Sequence, residues 1–465
     1  MKAVKTWIKK LGRQYLAGSA SKRTGLSPEH WGLAYEANAL NYQGTPLREV
    51  LDNWGSPLHV ILPEKLFGNL ADFQSPGLEV FYSYKTNPLP WVFDQLHRRG
   101  AGAEVISAYE LWLALKLGVA PQHIIYNGPA KSEASIRTAI ECGIASINAN
   151  NIEELATISA LALSMGKVAN IGIRVTSTQG WTGQFGFPAE DGSALNAFRH
   201  ALKLPAINVV TLHCHRGALI RDLATLDRHL NFMLSFAQEL HGATGWWPKI
   251  LDVGGSLGIP STRYLSARES QFATTFLVPP AAPEPATCLL PRVYAEKVVQ
   301  TVTERCALLS LPLPRIVTEV GRSLTGNAQM LLTTVQNWRR GDDFDYAVMD
   351  AGVSVASIVT SEYHELLALQ RKPGPKRCHR IVGPICHMGD TLFLAHHQPS
   401  LQQGDALAIM DSGAYFIADA ASFSFAQPAV VALYADGHQT LVRKAESFEH
   451  LISLDHLDPP GKPVA

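Results

Sequence analysis

A few short stretches carry residue types that can do chemistry together. The first is Phe81-Tyr82-Ser83-Tyr84-Lys85-Thr86-Asn87-Pro88. Val80, Tyr82 and Tyr84 alternate with Phe81, Ser83 and Lys85, which is strand periodicity, and Asn87-Pro88 ends the strand because proline has no N–H for the ladder. A lysine at the tip of an apolar, aromatic strand is costly to bury as a free ammonium. It can snorkel to solvent, pair with an acid, or be held as an imine. The other stretches are His213-Cys214-His215, Gly254-Gly255, Glu319 and Gly321-Arg322, each at the end of an apolar run. Singly each has an ordinary reading: a satisfied histidine, a turn, an ion pair between Glu319 and Arg322. Together they offer more. Glycines let backbone N–H groups approach an anion, and the Arg322 guanidinium matches phosphate oxygens. A phosphate cradle, an imine-forming lysine and a carboxylate able to keep a pyridine nitrogen protonated are the parts of a pyridoxal-phosphate site. His215 could stack on the face of that ring.

These residues need elements to position them. Strand patterns fall at 79–85, 103–106, 124–126, 146–148, 170–175, 209–215, 249–253 and 315–319. Each but the last is followed by a helical pattern, one of them opened by the capping box Ser107-Ala108-Tyr109-Glu110. Alternating strands and helices imply parallel pairing, and eight units in about 240 residues is the size of a (β/α)8 barrel. An open doubly wound sheet is the alternative. The barrel is preferred because the polar residues above fall at C-terminal strand ends, where barrels carry their sites, and loops seven and eight commonly bind phosphate. Residues 24–54 read as helical and polar, with no chemistry. Residues 268–292, with Pro279, Pro280, Pro283, Pro285 and Pro291, read as a long irregular insertion, a lid or mobile loop. Beyond Gly321 strands are predicted at 328–335, 346–350, 406–411, 429–433 and 440–442. The expected division is an N-terminal extension at 1–54, a cofactor-binding barrel at 62–320, and a β-rich C-terminal domain made of 55–61 and 321–465.

The chain has 465 residues, 46% of them apolar and 17% charged, with zero formal net charge. That suits a globular enzyme of two large or three smaller domains and gives nucleic acid or anionic membrane no global attraction. Six cysteines without a C-x-x-C pair indicate neither a zinc site nor a disulfide framework, so reduced thiols in a cytoplasm are expected. The stretch 1–23 is basic and acid-free, with Lys9, Lys10, Arg13, Lys22 and Arg23. Trp7, Ile8, Leu11 and Tyr15 could form a narrow helical stripe there, weakened by Gly12. A solvated or loosely docked arm is expected, with a membrane-surface or targeting role as the alternative.

The motifs resemble those of the fold-type III pyridoxal-phosphate decarboxylases, the family of diaminopimelate, ornithine and arginine decarboxylases. Tyr84-Lys85-Thr86-Asn87-Pro88 resembles the cofactor-lysine motif, and Gly102-Ala103-Glu104 through Leu111 the segment after the second strand. His213-Cys214-His215-Arg216-Gly217 resembles the motif whose second histidine stacks on the cofactor. Leu251-Asp252-Val253-Gly254-Gly255 resembles the phosphate-binding glycines, and Glu319-Val320-Gly321-Arg322 the Glu-Pro-Gly-Arg motif. Gly383-Pro384-Ile385-Cys386-His387-Met388-Gly389-Asp390 is similar to the loop whose cysteine works in the partner subunit's site. Asp411-Ser412-Gly413-Ala414-Tyr415 resembles the motif whose tyrosine reaches the cofactor. The resemblance spans roughly 55–435. It implies an alanine-racemase-like barrel plus a β domain, and a homodimer with shared sites. Lys85, His215, Gly254, Gly255, Glu319, Gly321, Arg322 and Tyr415 would come from one subunit. Cys386 would come from the other and protonate the substrate Cα after CO2 leaves, with His387 and Asp390 on the substrate.

Departures bear on the substrate. Ala218 stands where the family has serine, Ser256 replaces a third glycine, and Val320 replaces proline. His387 replaces the acid that grips a distal ammonium. Ser357-Ile358-Val359-Thr360-Ser361-Glu362-Tyr363-His364 lacks the arginine that binds diaminopimelate's distal carboxylate. The expected substrate is therefore a larger or acylated amino acid, or one with a neutral or acidic distal group. The alternatives are a racemase or epimerase, opposed by Glu319, and a silent pyridoxal-phosphate-binding homologue, opposed by Lys85, Glu319 and Cys386 together.

Overall fold

The computed structural model describes Lys9 and residues 11–13, 15–16, 25–180, 183–217 and 219–456. Eight parallel strands close into a barrel in chain order: Leu78–Ser83, Gly102–Val105, Ile124–Tyr126, Ser146–Ala149, Ala169–Thr176, Ile207–His213, Ile250–Asp252 and Arg315–Val320. Strand eight pairs with strand one and strand four with strand five, so the sheet is a ring and not an open array. Several of the helices between them begin on side-chain caps. Ser107, Ser132, Asn151 and Asp222 each accept the N–H of the residue three further on, satisfying one orphan donor apiece.

Side chains alternate across a strand. Tyr82, Ala103, Tyr126 and Ile171 point outward into the large core between strands and helices. Phe81, Ile125, Ala145, Val210, Ile250 and Val317 form a separate buried cluster, the plug inside the barrel. A Cβ on Gly102 would strike the Phe81 ring, so glycine there makes room for the plug. Two residues beyond each plug position the chain faces inward again, one layer nearer the mouth. For four of the six, at Phe81, Ile125, Ile250 and Val317, that position is Ser83, Asn127, Asp252 or Glu319, all buried and all polar.

The second sheet holds a strand from before the barrel. Leu58–Ile61 lies between Gln329–Arg339, antiparallel, and Ala429–Leu433, parallel. Asp345–Met349, Leu366–Ala368, Arg377–Val382, Thr391–Gln398, Ala406–Ile409 and Gln439–Arg443 complete it. Three of these strands, at 366–368, 377–382 and 391–398, were not expected. His379 and Gln398 are buried there, so polar residues occupy positions where a strand pattern calls for apolar ones.

Two other expectations are corrected. Residues 24–54 are not mainly helical: only Leu47–Trp54 is an α-helix. Leu33–Glu36, Ala39–Tyr42 and Thr45–Pro46 form a small antiparallel sheet. Its two-residue turns, Ala37-Asn38 and Gln43-Gly44, have positive φ at both positions, the geometry that matches strand twist. Ala and Gln do not announce such turns. Within the insertion, Ala267–Phe276 is a helix opened by a full capping box between Ser266 and Glu269, and the proline-rich remainder holds only a short 3-10 turn. The stripe expected at Trp7 and Ile8 lies outside the described residues. Arg13 does dock, pairing with Asp343 and donating to the Thr275 carbonyl at 3.0 Å.

Glu110 shows what burial costs near the mouth. Its carboxylate accepts the Ile106 N–H at 2.7 Å, and burial together with the nearby charge of Glu104 pushes its pKa up to about 7. The folded state thus holds a proton that the unfolded chain releases near pH 4.5, and this stability is lost as pH rises from there through 7. Glu110→Gln keeps the acceptor without the charge. In urea unfolding it should match wild type at pH 5 and exceed it at pH 8, by on the order of 1–3 kcal/mol. Equal stability at both values would contradict this.

Candidate active site

The barrel mouth is built around Glu319, on strand eight and 5% exposed. The amide of Asn127, just past strand three, donates to Glu319 Oε1 and, at 2.9 Å, to Glu104 Oε1 on strand two. Asn127 Oδ1 in turn accepts from Asn148 at 2.8 Å, and Asn148 Oδ1 from Ser146 at 2.7 Å. On the other side His213 Nε2 and His215 Nδ1 stand 3.4 and 3.7 Å from Glu319 Oε2. Burial alone would raise the Glu319 pKa, but the two imidazoles outweigh it and hold it well below the usual carboxylate range. Asp252, fully buried on strand seven, is driven the other way by burial and by the charge of Glu319. The two shifts run in opposite directions, so charge is favoured on Glu319 over Asp252.

His213, Asp252 and Glu319 each bring one ligand atom within 4.8 Å of the other two, a donor set that could also hold a cation. Asp252 Oδ1 is engaged by the Gly254 N–H at 2.9 Å.

Lys85 follows strand one by a single 3-10 turn, Tyr84–Thr86, so the strand ends at Ser83 and not at the lysine. Its ammonium donates to Ser83 Oγ at 2.8 Å and to Glu104 Oε2 at 3.1 Å. Ser83 also donates to Glu104, which ties the turn to strand two. Burial disfavours the ammonium, but Glu104, then Tyr415 and Glu319, more than offset it, and the pKa is raised. The side chain is 37% exposed, and it opens on the mouth as an ion-paired ammonium.

The loops after strands six to eight approach each other closely. A Cβ on Gly254 would meet His215 Cα, one on Gly255 would overlap the Glu319 carbonyl oxygen, and one on Gly321 the Thr86 hydroxyl. Ser256 has φ +79°, the left-handed region, which is why glycine suits this position and why serine here carries strain. Its hydroxyl offsets some of that by meeting His215 Nε2 and the Gly217 N–H, each at 3.1 Å. The Gly255 N–H donates to His215 Nδ1 at 3.2 Å, so the ring is fixed with its proton on Nε2, and burial lowers its pKa. Ala218 lies outside the described residues.

Tyr415 closes the site from the second sheet, with φ +69° and its N–H on the Thr86 carbonyl at 2.8 Å. The loop before it is fixed by Asp411, which accepts from Trp31 Nε1 at 2.9 Å and Ser261 Oγ at 2.7 Å. Residues 24–54, expected to be inert, thus brace the site.

Arg322 does not face a phosphate cradle, nor does it pair with Glu319. Both arms of its guanidinium are held by Glu362, at 2.6 and 2.7 Å, and the pair is buried. The Arg322 Cζ stands 5.2 Å from the Tyr415 ring. Asp390, expected on the substrate, is turned inward: its carboxylate accepts the N–H groups of Val353 at 2.8 Å and Ile385 at 2.7 Å. It shapes the loop 383–390, whose tip, Cys386 to Gly389, is exposed, with Met388 at 99%. The polar contacts of His387 run within that loop, and its ring faces Phe423 at 6.5 Å. Cys386 and His387 are not brought together with Lys85 in this chain. A cavity of about 880 Å³ lies beyond Glu362, lined also by Leu265, Ala273, Pro279, Pro280 and Thr360; Lys85 is not in its wall.

Glu104, Asn127, Asp252 and Glu362 are functional positions that sequence reasoning did not assign. A polar residue two places past an apolar inward one is the signal for Asn127 and Asp252. A buried arginine that needs an acid is the signal for the fourth.

A lysine beside an ionised, histidine-braced carboxylate, with glycines where any Cβ would intrude, fits pyridoxal phosphate. Residues 68–326 match the pyridoxal-dependent decarboxylase pyridoxal-binding domain, and the chain belongs to that family of carboxy-lyases, whose cofactor is pyridoxal phosphate. Within the family it is similar to the diaminopimelate decarboxylase of Aquifex aeolicus, 29% identical over 91% of this chain and 97% of that one. The crystal structure of the M. jannaschii diaminopimelate decarboxylase with L-lysine superposes with a TM-score of 0.81 at 25% identity, covering 92% of this chain and 98% of that one. The fold is shared with a Vibrio vulnificus lysine/ornithine decarboxylase, at a TM-score of 0.69 and 19% identity over 83% of this chain and 97% of that one.

Asn127 is a sharp test of the mouth, because one amide serves two carboxylates. Asn127→Asp replaces the shared donor by a third acid. It should cost on the order of 2–4 kcal/mol in urea unfolding at pH 8. Part of that should return at pH 5, where a protonated carboxyl can donate. Wild-type stability at pH 8 would contradict the arrangement.

Proposed function

We propose that the protein decarboxylates an amino acid whose distal end is not a bare ammonium, as a homodimer with shared sites. The observation that carries this reading is the grouping of Lys85, His215 and Glu319 at the barrel mouth, between loops that Gly254, Gly255 and Gly321 allow to approach closely. When bound, pyridoxal phosphate supplies an electron sink that stabilises negative charge at the substrate Cα. We assign Lys85 to the cofactor aldehyde and the cradle between Gly254-Gly255 and Gly321 to its phosphate. Glu319, whose own pKa is held low, would favour a proton on the ring nitrogen of the bound cofactor. His215, fixed from both ring nitrogens, offers a flat face to the ring. Tyr415 and Arg322 border the substrate side.

Cys386 stands on an exposed loop tip, the placement expected of a residue that serves a partner's site. Its Sγ would deliver the proton to Cα, with His387 beside it at the substrate's distal end. His387 supplies no fixed negative charge, so it does not favour a distal ammonium. Diaminopimelate decarboxylases are similar over about nine-tenths of the chain, 91% for that of Aquifex aeolicus, but the acid and arginine that read the distal group are replaced here. The six cysteines are free, one of them exposed, which suits a reducing compartment, and on that ground we place the enzyme in the cytoplasm. Among the described residues no helix is long and apolar enough to cross a membrane.

Two measurements test the reading. Borohydride reduction of the yellow holo-protein, followed by peptide mapping, should place a pyridoxyl label on Lys85, and Lys85→Ala should lose it. The same preparation should release CO2 from an acylated or neutral-ended amino acid in preference to ornithine, lysine or diaminopimelate. A label elsewhere, or kcat/KM near 10⁴ M⁻¹s⁻¹ for a free diamine precursor, roughly the low end for enzymes, would sink it. For the dimer, Lys85→Ala and Cys386→Ala should each be impaired alone and regain activity when co-expressed, since a mixed dimer assembles one intact site. Activity no better than the sum of the two would make Cys386 structural.

A further inference from the structure

The reading above leaves the distal group neutral or acidic. Glu362 decides between them. Arg322 is the cation beside Tyr415, and a guanidinium in such a place would ordinarily capture a carboxylate in a two-point bond. Here both donor arms are already taken, by Glu362 at 2.6 and 2.7 Å, and both side chains are more than nine-tenths buried. Neither partner can leave without stranding the other as a buried charge. Glu362 is also supported from behind. His364 Nε2 stands 3.9 Å from it, and His364 is fixed by its other nitrogen on the Met410 carbonyl at 2.8 Å. Finally, Glu362 is part of the wall of the 880 Å³ cavity, so a group lying in that cavity meets carboxylate oxygens and not the guanidinium.

We propose that Glu362 is a specificity-determining residue that excludes a second carboxylate, so that the substrate is an amino acid whose distal group is neutral and donates hydrogen bonds, such as an amide or hydroxyl. This rests on the decarboxylase reading for the word substrate, but not for the exclusion itself. An anionic distal group would have to face Glu362 or displace it. A neutral donor can use the outer lone pairs of the same carboxylate and fill the cavity without disturbing the pair.

The test uses the purified holo-protein and glutarate as a dicarboxylate probe, followed by calorimetry, with kcat/KM for diaminopimelate and N6-acetyllysine alongside. Glu362→Ala and Glu362→Gln should bind glutarate about tenfold more tightly than wild type, and the diaminopimelate-to-acetyllysine ratio should rise by a similar factor. The gain should vanish in the Arg322→Gln/Glu362→Gln double variant. Flat glutarate affinity in either single variant that keeps its melting temperature and cofactor absorbance would overturn the proposal. If both single variants fail to fold, wild type decides: glutarate binding that Arg322→Gln abolishes would overturn it, and its absence supports it. The two readings fail differently. If no amino acid releases CO2, the decarboxylase reading falls while the glutarate arms stand. If acetyllysine is turned over but the glutarate arms are flat, the exclusion falls alone.

Discussion

A single buried negative charge, on Glu319, sets the terms for the rest of the molecule. A carboxylate taken out of water costs several kcal/mol or more unless donors and positive charge meet it. Here the surrounding groups come from different strands: the Asn127 amide donates from the end of strand three, and the His213 and His215 rings stand 3.4 and 3.7 Å from the carboxylate on strand six and its loop. Asp252 on strand seven is shifted the opposite way, so charge is favoured on Glu319 over it. No smaller unit of structure could bring these groups to one point. The closed ring of strands is what makes an ionised Glu319 affordable, and the apolar plug beneath it, from Phe81 to Val317, fixes how high in the barrel the charge sits.

The second requirement is space. Strands seven and eight deliver their loops so close together that Gly254, Gly255 and Gly321 have no room for a Cβ. Ser256 departs from this economy: it accepts an unfavourable backbone angle and returns a hydroxyl that holds His215. The second sheet then supplies the cap. Tyr415 is tied to Thr86, next to Lys85, and Asp411 is tied to Trp31 far upstream. The mouth is thus enclosed by three segments widely separated in sequence.

What was legible in the sequence was whatever repeats or punctuates. Helix caps at Ser107 and Ser132, strand runs and Gly-Gly turns marked out the barrel and located Lys85, His215 and Glu319. What was not legible depends on partners. Nothing local distinguishes an Arg322 that faces an anion from one locked to Glu362 forty residues on. Asp390 reads as a substrate acid by position, yet its oxygens are spent on Val353 and Ile385. The hairpins at 33–46 turn on Ala37 and Gln43, residues with no preference for positive φ, so tertiary context overrides the local signal there.

The strand Leu58–Ile61 carries a consequence for synthesis. His59 pairs with Val430, about 370 residues later. At ribosomal rates of roughly 5–20 residues per second, the two are made on the order of tens of seconds apart. During that interval the strand is an apolar edge with neither neighbour available, because Gln329–Leu332 is also still to come. The barrel can form meanwhile, since its strands pair in the order they emerge. The nascent chain therefore passes through a stage in which a finished barrel trails an unpaired, hydrophobic β-edge. At that stage the protein is exposed to strand-to-strand aggregation and has most need of a chaperone.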